Sequence, residues 1–499
     1  MMRSPFIPLQ RCCALLAPLS LAVLTGCALQ TPPRVVQAPS PAQWFAPLPA
    51  KNDSATDASL PHQGRVTDLT QWWQQQGDAL LVELIASAQA VSPSIASARS
   101  RIEQARATRV AAGAALGPTL DASASISRSR SQPLGPGGSP LSSTAQAGLN
   151  ASWEIDVFGG KRATSDAATE RMAGAEARWH DARVSVAAEV ANQYYSYSTC
   201  RALETITRTD AASRQESARL TDLSMKAGFT APATASLARA SAADASARAI
   251  EQAARCELNV KALVALSGLQ EPDLKKKLAL AQVNPAQAAP ILIANVPAQA
   301  LTQRPDVFNA AREVAAASDE IGSLDAERYP RLGLSGSVGR SRVSSGGASS
   351  DFTSWSIGPL SLQLPLFDGG RRAADVDAAR ARYDDAAAAY RSSVRQAVRE
   401  VEEALVNLQS TAARGIDAQT AVDGYRESFN GTEALYKNGL ASLFELEDAR
   451  RTLLTAQTTQ ASLAQSRNAA WVSLYRAMGG GWTPDAISVS TAAPASPAR

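Results

Sequence analysis

The stretches "ALGPTLDASASISRSR" (Ala115–Arg130) and "ERYPRLGLSGSVGRSR" (Glu327–Arg342) share one plan. Each closes a helix-like run, passes a proline, and then alternates apolar with small polar residues until it ends on arginines. The second begins 212 positions after the first. Two further landmarks recur in the same order and at nearly the same spacing: "VFGGKR" (Val157–Arg162) with "LFDGGRR" (Leu366–Arg372), and "KAGFTAPATASLARA" (Lys226–Ala240) with "KNGLASLFELEDARR" (Lys437–Arg451). Ordered matches at one period mark an internal duplication. Each copy reads helix, strand, strand, long helix, turn, long helix.

The strands rest on period-two patterning. Leu120, Ala122, Ala124 and Ile126 alternate with Asp121, Ser123, Ser125 and Ser127, and Leu149, Ala151, Trp153, Ile155 and Val157 alternate with Asn150, Ser152, Glu154 and Asp156. The second copy offers Leu332, Leu334 and Val338, then Leu360, Leu362, Leu364 and Leu366. Strands are predicted over about 118–131, 145–157, 331–342 and 352–367, with "SQPLGPGGSPLSS" and "SSGGASSD" as the Gly-, Ser- and Pro-rich loops between them. Each run has about the 9 to 11 residues of a tilted membrane strand, although a soluble sheet with one wet face would show the same alternation. Four strands cannot close a barrel, since the smallest single-chain membrane barrels have eight. A membrane-spanning sheet therefore requires several chains.

Long helices are predicted over about 161–226, 231–267, 371–437 and 441–478. Tyr383, Ala387, Tyr390, Val394, Ala397, Val401, Ala404 and Leu408 step by four and three, a heptad seam, and Leu443, Leu446, Leu453, Gln460, Trp471 and Leu474 form the partner stripe. Arg371 to Lys437 is 67 residues, roughly 100 Å at 1.5 Å per residue. Such a hairpin reaches far beyond a membrane, and a purely structural coiled coil would look alike. Cys200 lies 29 residues before Phe229 and Cys256 lies 27 after it, so antiparallel helices bring them to one height. They form either a disulfide, in an oxidising compartment, or two buried thiols.

Of the five cysteines, Cys27 stands apart, at the end of "AVLTGCALQ" (Ala22–Gln30). Arg3 and Arg11 precede "CCALLAPLSLAVLTG", an apolar run too short to span a membrane. That is the layout of a signal peptide, 1–26. Leu24-Thr25-Gly26-Cys27 resembles the lipobox of bacterial lipoproteins, which implies a diacylglycerol thioether and an N-acyl chain such as palmitate on Cys27. Ala28, where an aspartate would resemble an inner-membrane retention signal, points to the outer membrane. No later segment has the apolar length of a membrane helix. The net charge of +3 is interspersed and leaves no nucleic-acid footprint. His62 and His180 stand far apart, and neither metal spacing, P-loop, dinucleotide fingerprint nor nucleophile elbow is found. Catalysis, a metal and a bound cofactor have no support.

"LTQRPDVFNAAREVAAASDEIGSLDAERYPRLGLSGSVG" (Leu301–Gly339), with Arg304-Pro305-Asp306 and Tyr329-Pro330, resembles the outer membrane efflux protein family, the TolC-like outer membrane factors. The lipobox, "PLFDGGRR" and the terminal "LYRAMGGGW" (Leu474–Trp482) resemble the lipoprotein subgroup that serves resistance-nodulation-division pumps. Arg312, where the family usually has glutamate, and "GSLDAERYP" depart from the pattern and are expected to alter a helix surface. The resemblance implies a mainly α protein with a transmembrane β-barrel: a homotrimer, four strands per protomer in a twelve-stranded barrel, continued by an α-helical periplasmic tunnel. It implies a passive multidrug exit duct, with an inner-membrane pump and a periplasmic membrane fusion adaptor as partners and no catalytic residue. The chain then divides into a lipidated extended segment 27–75, a first repeat 76–270, an equatorial connector 271–303, a second repeat 304–480 and a disordered tail 481–499. The extended segment is expected to wrap the helical barrel.

By the same resemblance Phe444 would plug the periplasmic gate, Asp448 and Arg451 would form its charged ring and latch, and Tyr436 and Lys437 would be their partners on the neighbouring helix. A lone aspartate repeated about a three-fold axis makes an anionic ring that can bind cations; the bland alternative is an exposed i,i+3 pair. Lys226, Gly228 and Phe229 in the first turn, and Gly439 and Leu440 in the second, are the expected adaptor-contact tips. The first turn has Ala238 or Arg239 near the place of Asp448, so the hairpins should gate unequally. Two rival readings remain: a structural coiled-coil envelope lipoprotein, and a type I protein-secretion duct.

Overall fold

The structure, a computed structural model, describes residues 31–46, 71–130, 141–281, 301, 303–345 and 347–484. The signal segment, Cys27, the 131–140 loop, residues 282–300 of the connector and the tail from 485 onward lie outside the described residues. In chain order the elements are α1 (Trp72–Gln75), α2 (Ala79–Val91), α3 (Pro93–Ala114), β1 (Thr119–Arg130), β2 (Leu141–Ile155), α4 (Gly160–Lys226), α5 (Pro232–Ser267), α6 (Glu271–Leu280), α7 (Pro305–Ala326), β3 (Arg331–Ser345), β4 (Ala348–Gln363), α8 (Arg371–Lys437) and α9 (Leu443–Ala477). Among the described residues no single helix is long and apolar enough to cross a membrane. The chain forms two compact units: Met1–Gln37, Arg101–Ala175 and Ala310–Tyr390 make the first, and Ala38–Ser100, Glu176–Asn309 and Arg391–Arg499 the second.

The first unit holds one antiparallel sheet in the order β1-β2-β3-β4. Its register puts Leu120 opposite Ala151, Ala151 opposite Gly336 and Gly336 opposite Ile357. The alternation therefore sorts most apolar side chains to one face, Val343 and Phe352 excepted. Leu120, Ile126, Leu149, Val338, Trp355 and Ile357 share one face, while Ser123, Ser125, Asn150, Ser337 and Ser356 share the other. The apolar face is bare in the single chain: Ile126 is 86% exposed and Ile357 84%.

Some strand ends depart from the sequence expectation. "SSGGASSD" is mostly ladder, not loop, because Ser344 pairs with Ser349 and Ser345 with Ala348, with Gly347 at φ +89° beside the last pair. Serine is small enough to continue a pleat, so composition alone misplaces the turn. β4 stops at Gln363, short of 367, since Leu364 precedes Pro365, which has no N–H to give a ladder. β2 stops at Ile155 because Asp156 turns to cap the next helix: its carboxylate accepts from Lys161 N at 3.0 Å and Arg162 N at 2.8 Å. Asp368 does the same in the second copy, accepting from Gly370 N at 3.0 Å and Arg372 N at 3.3 Å. These carboxylates satisfy first-turn donors of the two longest helices.

The extended segment from Thr31 to Gln37 is held onto this unit. Ser318 donates to Pro32 O at 2.6 Å, Tyr383 to Pro33 O at 2.8 Å, and Arg34 pairs with Glu170 at 2.7 Å and Asp319 at 3.0 Å. Arg312 also meets Glu170, at 3.0 Å. The departure expected on a helix surface is half-buried in this charge cluster, where its cation answers the surrounding carboxylates. Burial pushes the Asp319 carboxyl up to about 6; Arg34 opposes that shift, and the negative charges of Asp166 and Glu170 add to it.

In the second unit the core gathers Leu81, Leu84, Leu263, Leu274, Leu405 and Leu474, all under 2% exposed. Tyr475 stacks on Trp72 at 5.1 Å and meets Trp73 edge-on at 4.8 Å. Val394, Ala397, Val401, Ala404 and Leu408 are buried along α8, and Leu443, Leu446, Leu453, Trp471 and Leu474 along α9. Cys200 and Cys256 are disulfide-bonded, with Cα atoms 5.5 Å apart. Trp44 is buried, and the Phe45 and Ala46 amides each donate to the Glu402 carboxylate at 2.7 Å.

The Arg-Pro-Asp motif gains a structural role. Buried Arg304 pairs with Asp306 and Glu400, both at 2.7 Å, and donates to Ala477 O at 3.1 Å. Gly479, at φ +75°, lies so close that a Cβ would stand 2.1 Å from Gln303 O, which explains the glycines of "LYRAMGGGW". Trp482 is buried and meets Phe308 at 5.1 Å. The folded part therefore runs through Trp482, and the expected tail boundary at 481 is too early, because an indole this large is worth burying.

His180 lies 4.8 Å from the Trp179 ring, and burial, then the Arg183 charge, pull its pKa from 6.5 to about 4. A folded-state value below the unfolded one means that the unfolded chain takes up the proton first. The stability His180 contributes should be complete above pH 6.5 and decline as pH falls toward 4. Thermal unfolding across pH 7 to 4 should show this decline in the native chain and a flatter profile in His180→Gln; parallel profiles would contradict it.

Candidate functional site

The two interhelix turns lie in the second unit and are built alike. At the end of α4, Gly228 N bonds Met225 O at 3.0 Å and Phe229 N bonds Ser224 O at 2.9 Å; at the end of α8, Gly439 N bonds Tyr436 O at 3.0 Å and Leu440 N bonds Leu435 O at 2.9 Å. Both are Schellman motifs, which need a left-handed residue after the cap. Gly228 (φ +83°) and Gly439 (φ +73°) supply it. The motif turns the following apolar residue outward. Phe229 is 86% exposed, and Leu440 and Phe444 are each 75% exposed.

The helices that follow start differently. Pro232 opens α5 with no side-chain cap at Ala231, whereas Ser442 and Glu445 form a capping box at α9, with Glu445 N donating to Ser442 Oγ at 3.2 Å and Ser442 N to Glu445 Oε2 at 2.6 Å. Leu443, the first residue of α9, clusters with Ala218, Ala238 and Ala242. Ala218 precedes Lys226 by eight residues, about 12 Å of helix. The tips are thus staggered, and the first projects further.

The residues expected at the gate are not all brought together within one chain. Asp448 and Arg451 pair with each other on α9 and stay exposed. Tyr436 shares a hydroxyl hydrogen bond of 2.9 Å with Thr221 and packs against the alanine cluster. Lys437 pairs with Glu433 at 3.0 Å. In the first hairpin Arg239 meets Asp222 at 2.8 Å; counted from Gly228 and Gly439 it takes the place of Arg450, and Leu237 takes that of Asp448.

A buried charge network just behind the tips was not anticipated. Arg214 is held by Asp210 at 3.0 Å, donates to Ser241 at 2.7 Å and pairs with Glu447. Glu447 also accepts from Ser241 at 2.9 Å and pairs with Arg450. Arg450, only 4% exposed, donates to Ser213 and Ser217, each at 3.0 Å, and lies 5.6 Å from the Phe429 ring centre. One carboxylate and two guanidiniums therefore tie α4, α5, α8 and α9 together. The signal was present: Leu443, Leu446, Arg450 and Leu453 step by three, four and three, so Arg450 occupies a seam position in place of an apolar residue. Among the described residues no cluster could hold a metal ion.

The sequence profile of the family described as "Outer membrane efflux protein" matches residues 84–269 and 296–480. The chain belongs to this family. It is 30% identical over 469 residues to the solvent efflux pump outer membrane protein SrpC of Pseudomonas putida, covering 93% of this chain and 97% of that one. The outer membrane protein OprJ of Pseudomonas aeruginosa is also 30% identical, over 86% of this chain and 90% of its own. Among solved structures, the outer-membrane channel OprN superposes with a TM-score of 0.75 at 26% identity, over 91% of this chain and 100% of that one. The Campylobacter jejuni outer membrane channel CmeC shares the fold, with a TM-score of 0.77 at 22% identity over 90% and 98% of the two chains. Both matched segments of the family profile end next to structures described above: the first at the close of α5, the second on the glycines packed against Gln303.

Glu447→Leu should leave Arg214 and Arg450 buried without their shared anion, at a cost of about 3–5 kcal/mol. Amide hydrogen exchange over 443–453 should then accelerate sharply while exchange around Leu81 and Leu474 changes little. Unchanged exchange at the tip would show that the network does not hold it.

Proposed function

We propose that the chain is the passive exit duct of a tripartite efflux assembly in the outer membrane, working as a homotrimer. The observation that carries this is the four-stranded sheet with one bare apolar face, one serine-lined face and two open edges. Backbone groups at an open edge cannot be left in hydrocarbon, so the sheet must be closed by copies of itself. Three copies give twelve strands, an even number inside the range of membrane barrels. Apolar side chains then meet lipid, and serines and asparagine line a wet lumen. The 67-residue helices α4 and α8 continue the wall into the periplasm, so no residue needs to perform chemistry and the energy comes from an inner-membrane pump through an adaptor. The names of SrpC and OprJ support an efflux role and an outer membrane location; toxic small molecules are the proposed cargo.

In this reading Cys27 carries the diacylglycerol and N-acyl lipid that seat each protomer, and the chain from 31 to 46, pinned by Ser318, Tyr383 and Glu402, leads from it along the helices. The staggered tips with Phe229 and Leu440 exposed suit an adaptor. Phe444, exposed in one protomer, is placed to meet its copies at the axis, with Asp448 and Arg451 around it and Tyr436 and Lys437 on the neighbouring helix. Planar-bilayer conductance tests the gate: Asp448→Ala with Arg451→Ala should conduct several-fold more than the native channel. A double variant no more open than native would remove Asp448 and Arg451 from the gate.

A further inference from the structure

The apolar face of the sheet does not stay apolar to its end. Register places Arg128 and Arg130 of β1 on the face of Leu120 and Ile126. Arg340 stands opposite Ala147, itself opposite Ala124, and Arg342 stands opposite Ala145, itself opposite Ile126. Four guanidiniums from two strands thus occupy the part of this face nearest the turns. On this face of the described sheet the only carboxylate is Asp351, 3.7 Å from both Arg340 and Arg342, whose side chains remain 74% and 65% exposed. One anion is too few for four cations. Beside Arg340, Arg342 and Asp351 lies an open recess of about 680 Å³ with Ala124, Ala145 and Ala147 also among its lining residues.

The depth of this cluster decides what it meets. From Ile155 to Ala145 along β2 is ten residues, about 33 Å of strand and about 25 Å along the membrane normal at a tilt near 40°, the height of the apolar band of a membrane barrel. Arg342 then sits at the rim of hydrocarbon, and Arg128 and Arg130 lie beyond it, at headgroup level. Polarity follows from the connections. α4 and α8 leave the sheet from the Ile155 and Gln363 ends, opposite the turns, so with the helices in the periplasm the arginines lie in the outer leaflet. The planar arginine fork binds phosphate oxygens bidentately, and phosphates are the anions found at headgroup level.

We infer that Arg128, Arg130, Arg340 and Arg342 bind the sugar phosphates of an anionic glycolipid of the outer leaflet, with one of its acyl chains lying over the alanine-lined recess. The inference rests on the membrane-spanning reading of the sheet. Asp351 moderates the site by occupying part of the arginine capacity.

Native mass spectrometry of the full-length protein in mild detergent tests it, with bis-phosphorylated lipid A and its dephosphorylated form as probes. The native chain should retain the phosphorylated probe about tenfold more strongly or better, as loss of a charged hydrogen bond predicts, and rising salt should erode that preference. Arg128→Gln with Arg340→Gln and Arg342→Gln should equalise the two probes, and Asp351→Asn should widen the gap. Equal retention of both probes by the native chain, at any salt, overturns the inference without recourse to a variant. So does an arginine variant that keeps the preference. Conductance of the same native preparation separates the two readings: a conducting protein with no phosphate preference fails only the glycolipid site, and a non-conducting one counts against the barrel as well.

Discussion

Everything in this protein follows from a sheet that one chain cannot finish. β1 and β4 are the edges of a four-strand ladder, and the face bearing Ile126 and Ile357 is left bare. In water such edges invite aggregation, and in lipid they are forbidden. In the proposed assembly, closure by identical copies satisfies the edge backbone and leaves the apolar face to lipid, and the number of copies sets the number of long helices that leave the sheet.

The duplication carries that geometry to the other end of the chain. Asp156 and Asp368 cap the two long outgoing helices in the same way, and Gly228 and Gly439 end them with the same left-handed turn. Repeated local chemistry yields a repeated hairpin. The copies diverge after the turn: the second alone has a capping box, and at the offset of 211 set by Gly228 and Gly439 the place of Asp448 is taken by Leu237 in the first. The buried Arg214–Glu447–Arg450 network then joins the two hairpins within a chain. Such a network adds little net stability, but losing one member leaves a charge stranded, so it acts to fix the relative placement of the tips.

The fold class was legible because its signals are periodic. Alternation in "TLDASASIS" and the heptad steps from Tyr383 to Leu408 are direct records of which face is covered. Strand ends were less legible: serine fits a ladder or a loop, so "SSGGASSD" could not be assigned from composition. At the tip the family pattern points to Asp448 and Arg451, whereas the inward pair lies one residue earlier, on half-buried Glu447 and buried Arg450. The pairs have identical spacing, and only the seam phase set by Leu446 and Leu453 separates them. Close approaches were invisible for another reason. That Gly479 must touch Gln303 depends on two segments remote in sequence, and nothing local encodes it. The arginines toward the ends of β1 and β3 mark the repeat in the sequence, but only the strand register puts them on one face.

The most direct test is to count chains. Native mass spectrometry of the detergent-extracted full-length protein, with conductance recorded from the same preparation, should give three protomers in the conducting species. A conducting species of one or two chains would contradict the account, because four or eight strands from this sheet could not enclose the serine-lined lumen it requires.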